Sequence, residues 1–197
     1  DQVLTMVRQL GFSCVLGNHE AAIVNEKYRR WLNFQAKENN IETERLLSSE
    51  NLEYCRQLPA NLVIGDFVFV HGFPPESYLV YLQNCTDKVV GKVLKKNDYR
   101  ISFVGHTHTL ALVYKRQQEI MRRKISCDLM PLDADLNYIV NCGSVGQPRD
   151  GNRKAKYVIF NSEEWELEVV CLDYDIEATV KKIEQRGFPA VYGSRLR

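Results

Sequence analysis

Apolar and polar positions alternate at two spacings along this chain. Val3, Leu4, Val7 and Leu10 recur at helical spacing, and Gly11 fits a helix stop. The run FSCVL (12–16) predicts a short buried strand that delivers GNHE (17–20) at its end. Residues 21–58 are polar and predict mostly helix, closing at Pro59 behind a stripe of Leu52, Cys55 and Leu58. In NLVIGDFVFVH, two β-rich runs flank Gly65-Asp66, which predicts a hairpin ending at His71. Helices are predicted over PPESYLVYLQN (74–84) and TDKVVGKVLKKND (86–98). Thr86 caps the second, and Val89, Val90, Val93 and Leu94 form its apolar face. RISFV predicts a strand, ALVYKRQQEIMRRKI a hairpin, and LNYIV (136–140) a strand that runs into NCGSVGQPRDG. A closing hairpin is predicted over KYVIFNSEEWELEVVCLD, where Trp165, Leu167 and Val169 alternate with Glu166 and Glu168. Asp175 then caps a last helix with Ile176, Val180 and Ile183 inward, ended by Gly187 and Pro189.

Strand-loop-helix units mixed with antiparallel hairpins argue an α/β sandwich rather than a purely parallel sheet. The 197 residues suit a single domain, with no repeats and no interdomain linker. Charge changes little in this picture. Lys and Arg number 26 against 25 Asp and Glu, so no membrane or specific nucleic-acid footprint is expected. The basic run at 115–124 reads as a solvated hairpin or loop. No apolar run approaches the ~20 residues of a membrane span. The six cysteines are dispersed, without a C-x-x-C pair, and are expected to be buried reduced thiols of a cytoplasmic protein.

The histidines carry the candidate chemistry. All four lie in GNHE, FVHGF and GHTH, each after an apolar run and beside a glycine. Sites of open α/β sheets form at the carboxyl ends of strands. If the runs 12–16, 67–70, 101–104 and 136–140 are parallel neighbours, then Asn18, His19, His71, His106, His108 and Asn141 share one rim. Imidazoles with one amide oxygen suit manganese, iron, zinc or nickel, whereas a closed structural zinc site more often uses thiolates. Each residue also has a plainer reading: His19 as a helix-start residue, His71 as a satisfied core histidine, Asn141 as a turn former outside the ligand set.

GNHE, the His-Gly pair after an apolar strand, GHTH and NCGSVGQPRDG, in that order, resemble the later motifs of the calcineurin-like metallophosphoesterase superfamily. SSENLEYCRQLPANLVIGDFVFVHGFP and YDIEATVKKIEQRGFP resemble its small phosphodiesterase-type branch, so the likeness covers nearly the whole chain. The resemblance implies an α/β/β/α sandwich of two mixed sheets flanked by helices. It also implies two divalent metal ions, bridged by a carboxylate, and hydrolysis of phosphate mono- or diesters by a metal-bound hydroxide. Carried across, Asn18, His71 and His106 resemble ligands of one metal and His108 a ligand of the other. His19 resembles the catalytic histidine that touches the phosphate and helps the leaving oxygen depart. Arg149 is read as a phosphate contact, with an ion pair to Asp150 as the alternative. The expected substrate is a small phosphate ester or a nucleotide.

The sequence departs from that family in three places. An early Asp-x-His and a Gly-Asp after a second strand are both absent. The one Gly-Asp, Gly65-Asp66, precedes a strand. The chain thus reads as the C-terminal three-quarters of the family domain, lacking an N-terminal strand-helix-strand. The 197 residues alone are then expected to be inactive. Cys142 stands where the family usually shows proline, and it also breaks a nucleophile-elbow reading of Ser144. Two further functions stay open: a phosphoprotein phosphatase, whose form of the first motif is GNHE, and an inactive scaffold or interaction module that keeps the fold.

Overall fold

The computed structural model describes residues 1–96 and 99–197. Helix α1 (Gln2–Gln9) ends at Gly11, as its apolar spacing predicts. The strand predicted at 12–16 does not form. A strand needs a partner edge, and the backbone links of this segment are not a ladder: Phe12 N–H turns back to the Val7 carbonyl at 3.2 Å and Leu16 N–H reaches the Pro59 carbonyl at 2.7 Å, while Phe12 stays exposed. The polar stretch that follows is helical throughout: α2 (Asn18–Val24), a 3-10 turn over Glu26–Trp31, α3 (Phe34–Leu46) and α4 (Ser49–Gln57). Asn33 and Ser48 cap α3 and α4 by accepting Ala36 N–H and Asn51 N–H, satisfying donors that a helix start leaves free. Ala21, Ala22 and Cys55 are wholly buried where α2 meets α4.

The predicted hairpin forms as β1 (Asn61–Ile64) and β2 (Phe67–Val70). The helix predicted over 74–84 is replaced by turns and a 3-10 segment at Leu82–Asn84. Pro74 and Pro75 have no N–H to donate. The Ser77 hydroxyl accepts the N–H groups of Leu79 and Val80 at 3.3 and 3.2 Å, competing with helical carbonyls for them. Helix α5 (Asp87–Lys96) starts at Thr86, whose carbonyl accepts Val90 N–H, while Asn97 and Asp98 lie outside the described residues. Val90 and Leu94 face inward as expected, but Val89 is 43% exposed.

The remaining strands are β3 (Ile101–Val104), β4 (Leu110–Arg116), β5 (Glu119–Lys124), β6 (Leu129–Pro131), β7 (Tyr138–Cys142), β8 (Ala155–Asn161) and β9 (Glu166–Leu172). Helices α6 (Ile176–Gln185), capped by Asp175, and α7 (Ala190–Ser194) follow. Six strands form a mixed sheet in the order β1-β2-β3-β7-β4-β5, with β2, β3 and β7 parallel. The second sheet, β6-β9-β8, is antiparallel throughout, so two mixed sheets is corrected to one. Strand β6 was not predicted, being three residues long and ending in proline.

Period-two alternation sends Phe103, Leu112, Tyr138 and Val140 to the face that meets Leu167, Val158 and Phe160 of the smaller sheet. Val104, Val113 and Ile139 point the other way, under Val90 and Leu94 of α5. On the smaller sheet's outer face, Tyr157 and Ile159 stay exposed. The fourth, helical layer of the expected sandwich therefore does not cover them.

The cysteine expectation fails for one pair. Cys127 and Cys171 form a disulfide, while Cys14, Cys55, Cys85 and Cys142 are free thiols. Pairing of Leu129 with Glu168 brings the stretch before β6 beside the end of β9, a non-local register that cysteine spacing does not encode. The cytoplasmic reading loses the support it drew from six reduced thiols. No helix among the described residues is long and apolar enough to cross a membrane.

Ile139 is wholly buried on β7, between β3 and β4 of the larger sheet. Ile139→Ala is expected to lower unfolding free energy by about 2–5 kcal/mol in urea titrations. Val89→Ala, at an exposed position, is expected to change it by about 0.5 kcal/mol or less.

Candidate functional site

Parallel pairing lines up the carboxyl ends of β2, β3 and β7. His71 is the first residue beyond β2, His106 the second beyond β3, and Asn141 the last but one of β7. Gly105 N–H donates to the His71 carbonyl at 2.9 Å, tying the two strand ends together. From the helical side, Asn18 is the first residue of α2. Its Oδ1 stands 3.0 Å from His71 Nε2, which is also 3.1 Å from His106 Nδ1. Two glycines permit this convergence. A Cβ on Gly17 would lie 2.5 Å from Glu20 Oε2 and 3.4 Å from His71 Nδ1. One on Gly72 would lie 2.6 Å from the Ser77 carbonyl oxygen.

The GHTH segment has an unusual backbone. His106 and His108 both adopt left-handed dihedrals, with φ of 63° and 59°. Histidine is among the residues enriched there, but each such position still stores strain. Asn141, 1% exposed, holds the segment in place. Its Nδ2 donates to the Gly105 carbonyl and to Thr107 Oγ1, each at 2.8 Å, and its Oδ1 accepts Gly143 N–H at 3.1 Å. Tyr81 stacks on the His106 ring at 3.7 Å between centroids.

Carbonyls then select the tautomers. His106 Nε2 faces the Leu79 carbonyl at 3.3 Å and His108 Nδ1 faces the Gln147 carbonyl at 2.7 Å. A carbonyl only accepts, so those nitrogens carry the protons. The lone pairs of the neutral rings are then His106 Nδ1, which faces His71, and His108 Nε2.

Burial pushes the His71 pKa down to about 3 and the His106 pKa to about 4, with neighbouring imidazoles adding to the effect. His108 is lowered by burial too, against the pull of its Gln147 contact. His19 sits at the solvent edge of the crowded rim. Desolvation lowers its pKa, Glu20 raises it and Arg149 lowers it further. Asn40, a buried side chain that sequence reasoning missed, donates to the His19 carbonyl at 2.9 Å and accepts from Arg29 Nε at 3.2 Å. Arg29 in turn pairs with Glu44.

Arg149 lies close enough to depress the pKa of His19, His106 and His108. Its N–H donates to the His108 carbonyl and its guanidinium to Gln147 Oε1. The alternative pair with Asp150 is not made, because Asp150 Oδ1 binds Lys156 Nζ at 3.0 Å. Ser144 Oγ accepts Gln147 N–H at 3.0 Å and acts as a turn former.

No cluster of three or more His, Cys, Asp or Glu able to hold a metal ion occurs among the described residues. The tight convergence is two imidazoles with an amide oxygen. Bonds of ~2.1 Å in a tetrahedral or octahedral shell put neighbouring donors about 3.0–3.4 Å apart. The spacings at His71 Nε2 match such edges, and the donor types suit a borderline divalent ion.

The chain matches no protein-family model. Uncharacterized protein MJ0912 of Methanocaldococcus jannaschii is 29% identical over 202 residues, spanning all of this chain and 79% of that protein. The crystal structure of a metallophosphoesterase from Sphaerobacter thermophilus is similar at a TM-score of 0.81 and 28% identity, across 99% of this chain and 80% of that one. Hypothetical protein PH1004 of Pyrococcus horikoshii OT3 shares the fold alone, with a TM-score of 0.73 and 16% identity over 99% of this chain and 76% of that one. In fold, this chain is similar to a metallophosphoesterase.

Proposed function

We propose that the histidine rim belongs to a metal-dependent phosphoesterase of the phosphodiesterase type, acting on phosphate mono- or diesters. The observation that carries this reading is that Asn18 Oδ1 and His106 Nδ1 each stand within hydrogen-bond distance of His71 Nε2. These three donors would hold one divalent ion, and His108, through Nε2, would serve a second. Such ions, manganese, iron, zinc or nickel, polarise a phosphate and lower the pKa of water.

The side chains supply the rest. Burial keeps the three rings neutral. His106 and His108 present lone pairs at Nδ1 and Nε2, while His71 carries its proton on Nε2, between the Asn18 oxygen and the His106 lone pair, and would move it to Nδ1 to hold an ion. Arg149 offers a planar fork of donors to phosphate oxygens. His19, on the same rim, hydrogen-bonds the departing oxygen. All these metal donors are neutral, so the phosphate itself, when bound, offsets part of the cationic charge.

Two outcomes test the reading. Full-length natural protein supplemented with manganese is expected to hydrolyse bis-p-nitrophenyl phosphate or the monoester. His106→Ala is expected to abolish turnover, and so is His106→Asn, which tolerates the left-handed backbone. Undiminished turnover in these variants, or in excess chelator, rules the mechanism out. The second outcome concerns acid. His71 and His106 protonate near pH 6.5 when unfolded but only near 3 and 4 when folded, so the unfolded chain binds more protons between those limits. Metal-free protein is therefore expected to lose stability steadily as pH falls from about 6.5 towards 4. His71→Gln should flatten that slope in urea titrations.

A further inference from the structure

Away from the rim, helix α5 lies along the β4–β5 hairpin and leaves a cleft of about 630 Å³ between them. β4 leaves the rim at Leu110, and at ~3.4 Å per residue Lys115 stands about 17 Å along it. Lys115 shares a strand face with Val113, which packs under Val90 and Leu94 of α5. Ile120, paired with Lys115 across the hairpin, points the same way and joins that cluster. From the helix, Lys88, Lys92 and Lys95 recur at i, i+4 and i+7. They form one exposed stripe, turned away from buried Val90 and Leu94. These three line the cleft on one side, and Lys115 lines it on the other.

Carboxylates do not balance these charges. Asp87 is taken by Arg122, at 3.1 Å. Glu119, where β5 begins, is the other acid of the lining. Lys115 Nζ donates to Gln118 Oε1 at 3.3 Å, an amide that leaves its charge in place. None of the four lysines pairs with a carboxylate among the described residues.

Helix α5 also carries features that its packing does not require. Like charges three or four residues apart, at 88/92 and 92/95, oppose a helix. Gly91 sits in the helix interior, where glycine is a poor helix former. Yet a Cβ there would meet only Ile120 Cδ1, at 3.5 Å, an ordinary contact. Its absence keeps the cleft open between the lysines and Ile120. Local rules broken without a packing reason are expected at functional surfaces.

We propose that this cleft binds a compact polyphosphate anion. Ammonium groups reach it from two walls, and a concave surface focuses their potential. Lysine ammoniums are rotatable point charges, suited to phosphate oxygens in no fixed plane. No aromatic ring lines the cleft among the described residues, so it offers a nucleobase nothing to stack on. The assignment is independent of the chemistry of the histidine rim.

Calorimetric titration of the metal-free full-length natural protein with inorganic tripolyphosphate at low salt is the test. Binding is expected. Combining Lys92→Gln with Lys115→Gln, one from each wall, is expected to weaken it at least about tenfold. Glutamine matches lysine in helix propensity, so the melting temperature should hold. Gly91→Met is expected to fill the cleft and abolish binding while favouring the helix. Binding that is absent, or unchanged in the double variant or in Gly91→Met, overturns the inference. An anion held by Arg149 at the rim would be untouched by these substitutions and counts against the cleft in the same way. Tighter binding of a single-stranded trinucleotide than of tripolyphosphate also overturns it, assigning the surface to nucleic acid instead.

Discussion

The candidate site depends on the grip of one buried amide. Asn141 holds the Gly105 carbonyl and the Thr107 hydroxyl while its own oxygen is satisfied by Gly143 N–H. An unsatisfied amide at 1% exposure would be costly, so the grip is strongly preferred once β7 pairs with β3. What it holds is a strained segment. Two non-glycine residues in left-handed conformation cost on the order of 1–3 kcal/mol each. The contacts of Asn141, Leu79, Gln147 and Tyr81 offset that strain. In return, two imidazoles from one tight segment are aimed with defined tautomers, one of them directly at His71.

Electrostatics follows from the same packing. Desolvation in the buried rim keeps the imidazoles neutral, and their crowding adds to it because each would repel the charge of the next. Arg149 adds a permanent positive charge at the edge, held by Gln147 in the loop that also supplies the carbonyl for His108. The rim is therefore poor in protons and favours anions even as an all-protein surface. The cleft between α5 and the β4–β5 hairpin shares that bias, since its lysines outnumber its carboxylates.

Much of the scaffold was legible in the chain because its signals are local. The Gly65-Asp66 hairpin, the alternation of Leu167 and Val169 with Glu166 and Glu168, and the Asp175 cap each depend on a few adjacent residues, and each appears as read. The failures share a cause. Residues 12–16 are apolar enough for a strand but have no edge to join. Residues 74–84 carry helical spacing, but Ser77 draws backbone donors into turns. The second sheet's antiparallel β6 and the Cys127–Cys171 bridge depend on a register between distant segments.

The site divides along the same line. The sequence by itself determined that four histidines and Asn18 stand at the ends of apolar runs beside glycines, because chain spacing alone expresses that. Only the tertiary structure decided that Asn18 and His106 each come to about 3 Å from His71 Nε2. It alone made Asn141 the clamp, Asn40 the support of His19, and Lys156 rather than Arg149 the partner of Asp150. Those outcomes arise from pairing between strands far apart in the chain. Which polar atoms are left without water, and which neighbours remain to satisfy them, is settled only when the sheet closes.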